Sequence, residues 1–433
     1  MTQIGAFDPA LLTGPHMRAE GVVTLARDLQ CAGLFFWLSP RRRVRLGTAS
    51  EVEVGGTRLP VPDLSATRVT VDGGQREYVA FDSADYLGAS VSPRLVEAAM
   101  NALLDAGAGT GGSRLVCGTT ASHEQLEVAI AEYEHADASL FFGAGYDANV
   151  AVGMMHGGAP VLADELLHAS AIDGCRAGRA AVEVFRHNDA EDLEERLHEA
   201  ERCGRPSVWV ESVYSMSGDE VAPRVLRVAQ RHGASIIVDA AHSTLAGEGP
   251  GGWQVDGVDR TGITVVGTTS KAAGAAGGYV AGSRGCVAAY MLAARPFWFS
   301  TSPPASTCAA AHAALRLMSG PDGDVRRRRL RTNAARVRDE LREMGYDIGS
   351  STTYIIPVIL GDTATTLRAT ALLRARGILA GGVLAPAVPR GQERIRLCVS
   401  SEHTAGEIDQ LLDAFRDSRD ALLGPHCADR RES

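Results

Sequence analysis

The sequence predicts an α/β protein with a mostly parallel central sheet that is covered by helices on both faces. Short apolar runs rich in β-branched and aromatic residues recur through the middle of the chain: ASLFF (138–142), APVLA (159–163), AVEVF (181–185), SVWVE (207–211), SIIVD (235–239) and ITVVG (263–267). Segments rich in Ala, Leu, Glu and Arg lie between several of these runs. Near-continuous apolar strands that alternate with helices are typical of a parallel sheet buried on both faces.

We divide the 433 residues into four parts. Residues 1–75 form an N-terminal arm with a helix at 16–38 and a β-ribbon at 41–56, and we interpret Arg41 to Arg43 as a solvated turn. Residues 76–300 form a large domain that contains the sheet. Residues 301–425 form a smaller α+β domain with an exposed amphipathic helix at 325–345 and strands at 354–360 and 393–400. Residues 426–433 are a disordered tail.

Composition and charge exclude several classes of protein. A net charge of −9 argues against a nucleic-acid-binding protein. No apolar run reaches the length of a membrane span, and the start of the chain lacks the order of a signal peptide. The eight cysteines form no C-x-x-C pair. These features predict a reduced, cytoplasmic protein without a metal site.

Lys271 is the one lysine among the 43 Lys and Arg residues of the chain. Arginine can replace lysine on most solvated surfaces, but a guanidinium stays charged in proteins whereas an amine can lose its proton. Lys271 follows the run ITVVG and is flanked by small residues, which leave space for a bulky ligand. Such an amine can form a Schiff base with a carbonyl compound. We therefore expect Lys271 to be catalytic.

Asp239 and His242 follow the run SIIVD, at the carboxyl end of a predicted strand, where ligands of such sheets bind. A buried carboxylate needs a partner. Asp239 could hold a protonated ring nitrogen, as an aspartate does for the pyridinium of pyridoxal phosphate. Taken alone, either residue is more often structural. Together with Lys271 they favour a pyridoxal phosphate site.

A phosphate group needs clustered backbone N–H groups and hydroxyls, preferably at a helix N-terminus. The segment FFGAGYDANV combines a strand, a glycine turn at 143–146 and a helix, and Thr268 to Ser270 add hydroxyls beside Lys271. The turn could also be a plain strand–helix connection, and it does not match G-x-G-x-x-G because Asn149 is at the third position. His168 could stack on a cofactor ring or simply end a helix, and Ser215 could bind a ring hydroxyl or be structural.

These residues lie in segments that resemble the α-oxoamine synthases, which are pyridoxal-phosphate enzymes. The family includes 8-amino-7-oxononanoate synthase, 2-amino-3-ketobutyrate CoA ligase, serine palmitoyltransferase and 5-aminolevulinate synthase. The resemblance runs from about residue 78 to 415, through DYLG (85–88), GAGTGGSRLVCGTTASHEQLE (107–127), FFGAGYDAN (141–149), DELLHAS (164–170), ESVYSMSGD (211–219), VDAAHS (238–243), TTSKAAGAAGGYVAG (268–282), FSTSPP (299–304) and RIRLCVSSEHT (394–404). It implies the fold type I aminotransferase class.

The resemblance also implies a role for each matching position. Lys271 forms the Schiff base with the cofactor and moves protons, Asp239 pairs with the ring nitrogen, and His168 stacks on the ring. The remaining positions are Ser215 and His242 near the phenolic oxygen, Gly145, Tyr146 and Thr268 near the phosphate, Thr301 as a phosphate contact from a second subunit, and Arg396 for the amino-acid carboxylate. A homodimer with shared active sites follows from the role of Thr301.

The implied reaction is the decarboxylative condensation of an amino acid with an acyl thioester, carried by CoA or by an acyl-carrier protein, to an α-aminoketone. An aminotransferase or an aldolase-like lyase on the same fold is the alternative, and a non-catalytic binding protein is a third possibility. Ala84 and Ala240 stand where the family usually has Asn and Glu. We interpret both changes as marks of a specialised member, in secondary metabolism.

Overall fold

A computed structural model describes residues 40–424, except residues 254 and 256. The expected helix at 16–38, the tail at 426–433 and the first part of the N-terminal arm therefore lie outside the described residues. The predicted β-ribbon is confirmed: β1 (Arg41–Val54) and β2 (Thr57–Val71) form an antiparallel hairpin, and β3 (Glu77–Ala80) pairs with β2.

The interpretation of Arg41 to Arg43 as a solvated turn is wrong. These residues begin β1, and the guanidinium of Arg41 donates two hydrogen bonds of 2.8 Å to the carboxylate of Asp82. Arg43 donates to the carbonyl oxygen of Ala66 at 2.9 Å and to Ser90 Oγ at 2.7 Å. The run is extended, so these two arginines reach the body of the protein and attach the hairpin to it.

The central sheet contains seven strands, six of which are the predicted apolar runs to within one residue. They are β4 (Ala138–Phe142), β5 (Pro160–Asp164), β6 (Ala181–Phe185), β7 (Ser207–Glu211), β8 (Ser235–Asp239), β9 (Thr264–Thr268) and β10 (Gly278–Gly282). Their order is β4-β10-β9-β8-β7-β5-β6. Strands β5 to β9 pair in parallel, whereas β10 is antiparallel to both of its neighbours. The mostly parallel sheet is therefore confirmed.

A smaller sheet has the order β11-β14-β13, with strands β11 (Ile355–Ile359), β13 (Gly381–Val383) and β14 (Arg394–Cys398). Strand β12 (Ile378–Leu379) pairs with β3 instead, and so joins the hairpin sheet to the C-terminal part of the chain. The predicted strands at 354–360 and 393–400 correspond to β11 and β14.

The α-helices of the described residues are α1 (Pro93–Ala106), α2 (Ala121–Glu134), α3 (Gly145–Met154), α4 (Ala169–Ala177), α5 (Ala190–Ala200), α6 (Pro223–Arg231), α7 (Arg284–Ala293), α8 (Arg295–Phe299), α9 (Ala305–Met318), α10 (Pro321–Glu343), α11 (Thr363–Ala375) and α12 (Ala405–Leu423). The amphipathic helix predicted at 325–345 is α10. No helix among residues 40–424, as far as these are described, is long and apolar enough to cross a membrane.

Successive side chains of β7 and β8 point to opposite faces of the central sheet. Val210 belongs to an apolar cluster with residues of α5 and α6. Trp209 and Ile237 belong to a cluster with residues of α3 and α4. Glu211 and Asp239 lie two residues beyond Trp209 and Ile237 on the same strands, so both carboxyl groups lie on the face that α3 and α4 cover.

Helices α3 and α4 pack closely because glycines line their contact. A Cβ atom on Gly153 would lie 2.5 Å from the backbone nitrogen of Cys175, and one on Gly174 would lie 2.8 Å from Val150 Cα. Backbone atoms cannot move aside as a side chain can. This close contact therefore determines where the N-terminal ends of the two helices lie at the carboxyl edge of the sheet.

His187, just after β6, joins the ends of two other strands. Its Nδ1 and Nε2 each lie 2.9 Å from a carboxylate oxygen, of Asp164 and Asp219 respectively. Asp164 ends β5, and Asp219 lies in the turn after β7, so the imidazole connects three strand ends. Burial alone lowers the pKa of His187, but hydrogen bonds and negative charge from both aspartates outweigh burial and raise it to about 9.

We expect Gly174→Ala to lower the free energy of unfolding by about 2 kcal/mol, because overpacking of this size costs roughly 1–3 kcal/mol. The control is Gly285→Ala in α7, where a Cβ atom meets nothing within 4 Å. Its free energy of unfolding should stay the same or rise by up to about 1 kcal/mol, the helix propensity gain of Ala over Gly. Urea unfolding measures both. Equal stability of the two variants would contradict the close packing.

We expect the protonated His187 to stabilise the fold at neutral and acidic pH. Its folded pKa of about 9 exceeds the ordinary histidine pKa of 6.5, so the contribution is full below pH 6.5 and is lost as pH rises through 9. The difference corresponds to about 3 kcal/mol. The free energy of unfolding would be measured between pH 6 and 10. In the parent it should fall with pH as His187 loses its proton, and in His187→Gln this decrease should be absent. Parallel curves for the variant and the parent would show that the imidazole is not charged.

Candidate active site

Lys271 lies at the carboxyl edge of the central sheet, in the connection between β9 and β10. It lines a cavity of about 270 Å³ to which the ends of β7, β8 and β9 contribute Glu211, Asp239 and Thr268. Burial lowers the pKa of the Lys271 amine to about 8, although the negative charge of Asp239, and that of Glu211 when it is ionised, acts in the opposite direction. A fraction of this amine is therefore unprotonated near neutral pH, as a nucleophilic or basic lysine requires.

Asp239 ends β8 and presents a carboxylate with two donors of its own. Its Oδ1 accepts a hydrogen bond from the backbone N–H of Ala241 at 2.9 Å, and its Oδ2 accepts one from Asn149 Nδ2 at 2.7 Å. Asn149 Nδ2 also lies 3.0 Å from Ser170 Oγ. The carboxylate is buried and oriented, as a partner for a ring nitrogen must be.

His168 precedes α4, and its side chain caps the helix by accepting the backbone N–H of Ser170. Its Nδ1 also lies 2.6 Å from Ser170 Oγ. Burial lowers the pKa of His168, the negative charge of Asp239 opposes this shift, and the positive charges of Lys271 and Arg396 add to it, so that the pKa stays below its usual value. The ring is therefore a neutral, fixed surface on one side of the cavity, and its role as a helix-terminus residue does not exclude stacking on a ligand.

His242 lies in the turn after β8 and is held by two tyrosines. Its Nδ1 lies 2.7 Å from Tyr86 Oη, and its carbonyl oxygen accepts a hydrogen bond of 2.6 Å from Tyr354 Oη. Burial, followed by the charges of Lys271 and Arg396, holds the pKa of His242 well below its usual value. A neutral imidazole can accept or donate a hydrogen bond in the cavity without adding charge.

The part of the cavity next to the N-terminus of α3 has the features of an anion site. Gly145 is the first residue of α3, so backbone N–H groups of the helix N-terminus face the cavity. Thr268 Oγ1 lies 2.8 Å from Ser270 Oγ. A Cβ atom on Gly145 would lie 3.3 Å from Thr268 Cβ, so glycine allows the helix to approach β9. Tyr146 lines the rim, and its hydroxyl donates to Asp173 at 2.7 Å.

Most predicted residues lie around this cavity: Gly145, Tyr146, His168, Asp239, His242, Thr268 and Lys271. Ser215 is not among the lining residues, but its backbone N–H donates to Glu211 Oε2, which belongs to the lining, at 3.0 Å. Arg396, on the central strand of the small sheet, is close enough for its charge to lower the pKa of Lys271. Thr301 is exposed and pairs with Ser113 through an isolated β-bridge, so this chain does not bring it to its own cavity.

Three residues of the site were not predicted. Glu211 ends the run SVWVE, and the strand-end argument that identified Asp239 applies to it equally. Asn149 lies one helical turn after Gly145 on α3, on the same face of the helix. Ser170 lies within the segment DELLHAS but is identified only by its contacts with His168 and Asn149.

Residues 76–415 match the model of the aminotransferase class I and II family. The chain is 40% identical over 364 residues to putative 8-amino-7-oxononanoate synthase 2 of Bacillus velezensis, an alignment that covers 82% of this chain and 92% of the relative. It is 38% identical over 362 residues to 8-amino-7-oxononanoate synthase 2 of Bacillus subtilis, with 82% and 90% covered.

Solved structures of related enzymes have the same fold as this chain. Serine palmitoyltransferase from S. paucimobilis with a bound PLP–myriocin aldimine has a TM-score of 0.80 and 29% identity, and the match covers 93% of this chain and 98% of that one. The fold is also that of 8-amino-7-oxononanoate synthase from Francisella tularensis, with a TM-score of 0.68 over 79% of this chain and 98% of the other. The chain therefore belongs to the aminotransferase class I and II family and, within it, to the pyridoxal-phosphate-dependent α-oxoamine synthases.

Proposed function

We propose that this protein condenses an amino acid with an acyl thioester, delivered by CoA or an acyl-carrier protein, to an α-aminoketone. The Cα of the amino acid bonds to the acyl carbon, and the thiol and carbon dioxide leave. The observation that carries the proposal is the placement of Lys271 and Asp239 in one cavity, with the charge of Arg396 nearby. Relatives named 8-amino-7-oxononanoate synthase and serine palmitoyltransferase support it.

The cavity fits pyridoxal phosphate. Buried polar atoms that have no hydrogen-bond partner among the described residues occur at or beside it, namely Asn149 Oδ1, Glu211 Oε1, and Arg396 Nε and Nη2. Asp239 would hold the ring nitrogen, His168 the ring face, and the N-terminus of α3 with Thr268 the phosphate. When bound, the cofactor supplies a carbonyl group for an amine and a ring that withdraws electrons from the amino-acid Cα.

Lys271 is proposed to remove the Cα proton. Its pKa of about 8 gives an amine that is basic enough to accept a proton and is partly unprotonated near neutral pH. Neutral His168 and His242 do not compete for this proton, because their pKa values are lowered by burial.

Arg396 is proposed to bind the carboxylate of the amino acid. Two of its nitrogens are buried without a partner among the described residues, and a buried unpaired charge is costly. A carboxylate would satisfy both nitrogens through the paired hydrogen bonds that a guanidinium favours. Ala84 offers no side-chain hydrogen bond to that carboxylate, so recognition rests more heavily on Arg396. This change and Ala240 support our proposal of a specialised role in secondary metabolism.

The condensation predicts that thiol and carbon dioxide appear in equal amounts, and only when an amino acid and an acyl thioester are both present. Purified protein with added cofactor would be assayed against panels of both, with Lys271→Arg as the inactive control. A keto acid without thiol would instead indicate an aminotransferase, and cleavage of the amino acid to an aldehyde an aldolase-like lyase. If no amino acid changes the visible spectrum, the protein is a non-catalytic binder.

We further propose a homodimer in which Thr301 serves the partner's phosphate site, and a cytoplasmic location. The β-bridge between Ser113 and Thr301 brings the segment after Ser113 close to the segment that contains Phe299 and Thr301. Leu115, Val116 and Phe299 are 48%, 80% and 70% exposed, so exposed apolar surface surrounds Thr301. A second copy of the chain that covers this surface would bring Thr301 to a neighbouring cavity. The cytoplasmic location is supported by the cysteines, since the six in the described ranges are all free thiols.

The double variant Val116→Asp/Phe299→Asp should be monomeric in sedimentation and should bind pyridoxal phosphate about tenfold more weakly, the scale of one lost phosphate contact. The matched control is Val184→Asp, which changes an equally apolar side chain, 48% exposed, on the edge strand β6. This control should remain dimeric with unchanged affinity. A parent protein that is monomeric, or a monomeric variant with full affinity, would contradict the shared site.

A further inference from the structure

Glu211 and Asp239 are adjacent carboxyl groups at the edge of the sheet. They are paired residues in the parallel register of β7 and β8, and their side chains point to the same face. Both line the cavity, and Glu211 is only 2% exposed. The proposed mechanism uses Asp239 and leaves Glu211 without a role, although Glu211 is buried at the centre of the site.

The two carboxyl groups accept different numbers of hydrogen bonds. Asp239 accepts two, from the backbone N–H of Ala241 and from Asn149 Nδ2. Glu211 accepts one, from the backbone N–H of Ser215 to Oε2 at 3.0 Å. Its Oε1 is buried and has no partner among the described residues. Donors stabilise an ionised carboxylate, so the surroundings favour negative charge on Asp239 over Glu211.

Charged groups from several strands and their following turns act on Glu211. Asp239 on β8 and Asp164 on β5 disfavour a second negative charge, whereas Lys271 after β9 and Arg396 on β14 favour one. Burial, followed by the charge of Asp164, raises the pKa of the Tyr214 hydroxyl well above its usual value, and an ionised Glu211 would raise that pKa further. Burial is the largest influence on Glu211 and raises its pKa well above the usual value, and Asp239 raises it further. Two adjacent buried carboxyl groups do not both ionise readily.

We propose that Glu211 is a positioning residue of the cofactor site that remains a neutral carboxylic acid, so that the charge of the Glu211–Asp239 pair resides on Asp239. The inference rests on the proposed cofactor function. Oε2 of Glu211 holds the backbone of Ser215 in place, and the protonated Oε1 is a donor toward the cavity. If the proton were on Asp239 instead, the ring nitrogen would face a neutral acid.

Glu211→Gln tests the charge, because a carboxamide is neutral and keeps both hydrogen-bonding functions. The holoenzyme variant should bind pyridoxal phosphate within about threefold of the parent, since a change of that size is below 1 kcal/mol. The visible absorbance of the bound cofactor changes with pH, and the midpoint of this change in the variant should lie within about 0.3 pH units of the midpoint in the parent. The infrared C=O band of a protonated carboxyl group should disappear. If Glu211 is ionised, its loss removes a negative charge near Lys271, and a midpoint lowered by about one unit or more would overturn the proposal.

Glu211→Leu tests the positioning role, because it leaves the buried N–H of Ser215 without a partner. The dissociation constant of the cofactor should rise about tenfold or more, as expected when a buried donor is unpaired. Glu220→Gln is the control, on the same segment but exposed and not part of the cavity lining, and it should match the parent. A Glu211→Leu variant with the affinity and spectrum of the parent would overturn the positioning role.

Circular dichroism checks the fold of each variant, and the Gln variant decides the charge state even if the Leu variant fails to fold. Failure of the proposed cofactor function and failure of the neutral Glu211 give different results. A parent protein that binds no pyridoxal phosphate would defeat the proposed function. A parent that binds it normally, with a shifted midpoint in Glu211→Gln, would defeat this inference alone.

Discussion

The buried carboxylate of Asp239 determines how the rest of the cavity is arranged. A negative charge removed from water is stable only with donors or positive charge nearby, and here the backbone of the turn after β8 and the amide of Asn149 on α3 supply the donors. Asn149 reaches Asp239 because α3 packs against α4 through glycines. Lys271 can then lie close by as an amine whose charge is partly compensated. The neutral histidines and the neutral Glu211 follow from the same balance of charge.

Much of this arrangement could be predicted from the sequence, because it depends on local patterns. The apolar runs identified six of the seven central strands, and the polar residues that end them identified Asp239. The glycine-rich strand β10 was missed since GYVAG lacks the sustained β-branched pattern. Arg41 and Arg43 were misjudged because their partners, Asp82 and Ser90, are more than 40 residues away in sequence. Composition alone cannot distinguish a solvated arginine from one that bonds to a distant carboxylate.

Other features of the site depend on contacts between distant segments or on a second chain. Asn149 and Asp239 are 90 residues apart, and the bond between them emerges only when α3 lies against the end of β8. Ser215 is placed by the hydrogen bond of its backbone N–H to Glu211, four residues earlier in the chain. Thr301 is exposed in a single chain, so its proposed role depends on a partner subunit. The abundance of arginine also means that residue type says little about Arg396, whereas the two unpaired nitrogens of Arg396 say more.

The proposed function depends first on covalent binding of the cofactor by Lys271. Borohydride treatment of the protein with bound pyridoxal phosphate, followed by peptide mapping, tests it directly because the sequence contains no other lysine. We expect a yellow protein with one stable label per chain on the peptide that contains Lys271, and a colourless, unlabelled Lys271→Arg variant. A yellow Lys271→Arg variant, or a label on another residue of the parent, would contradict it.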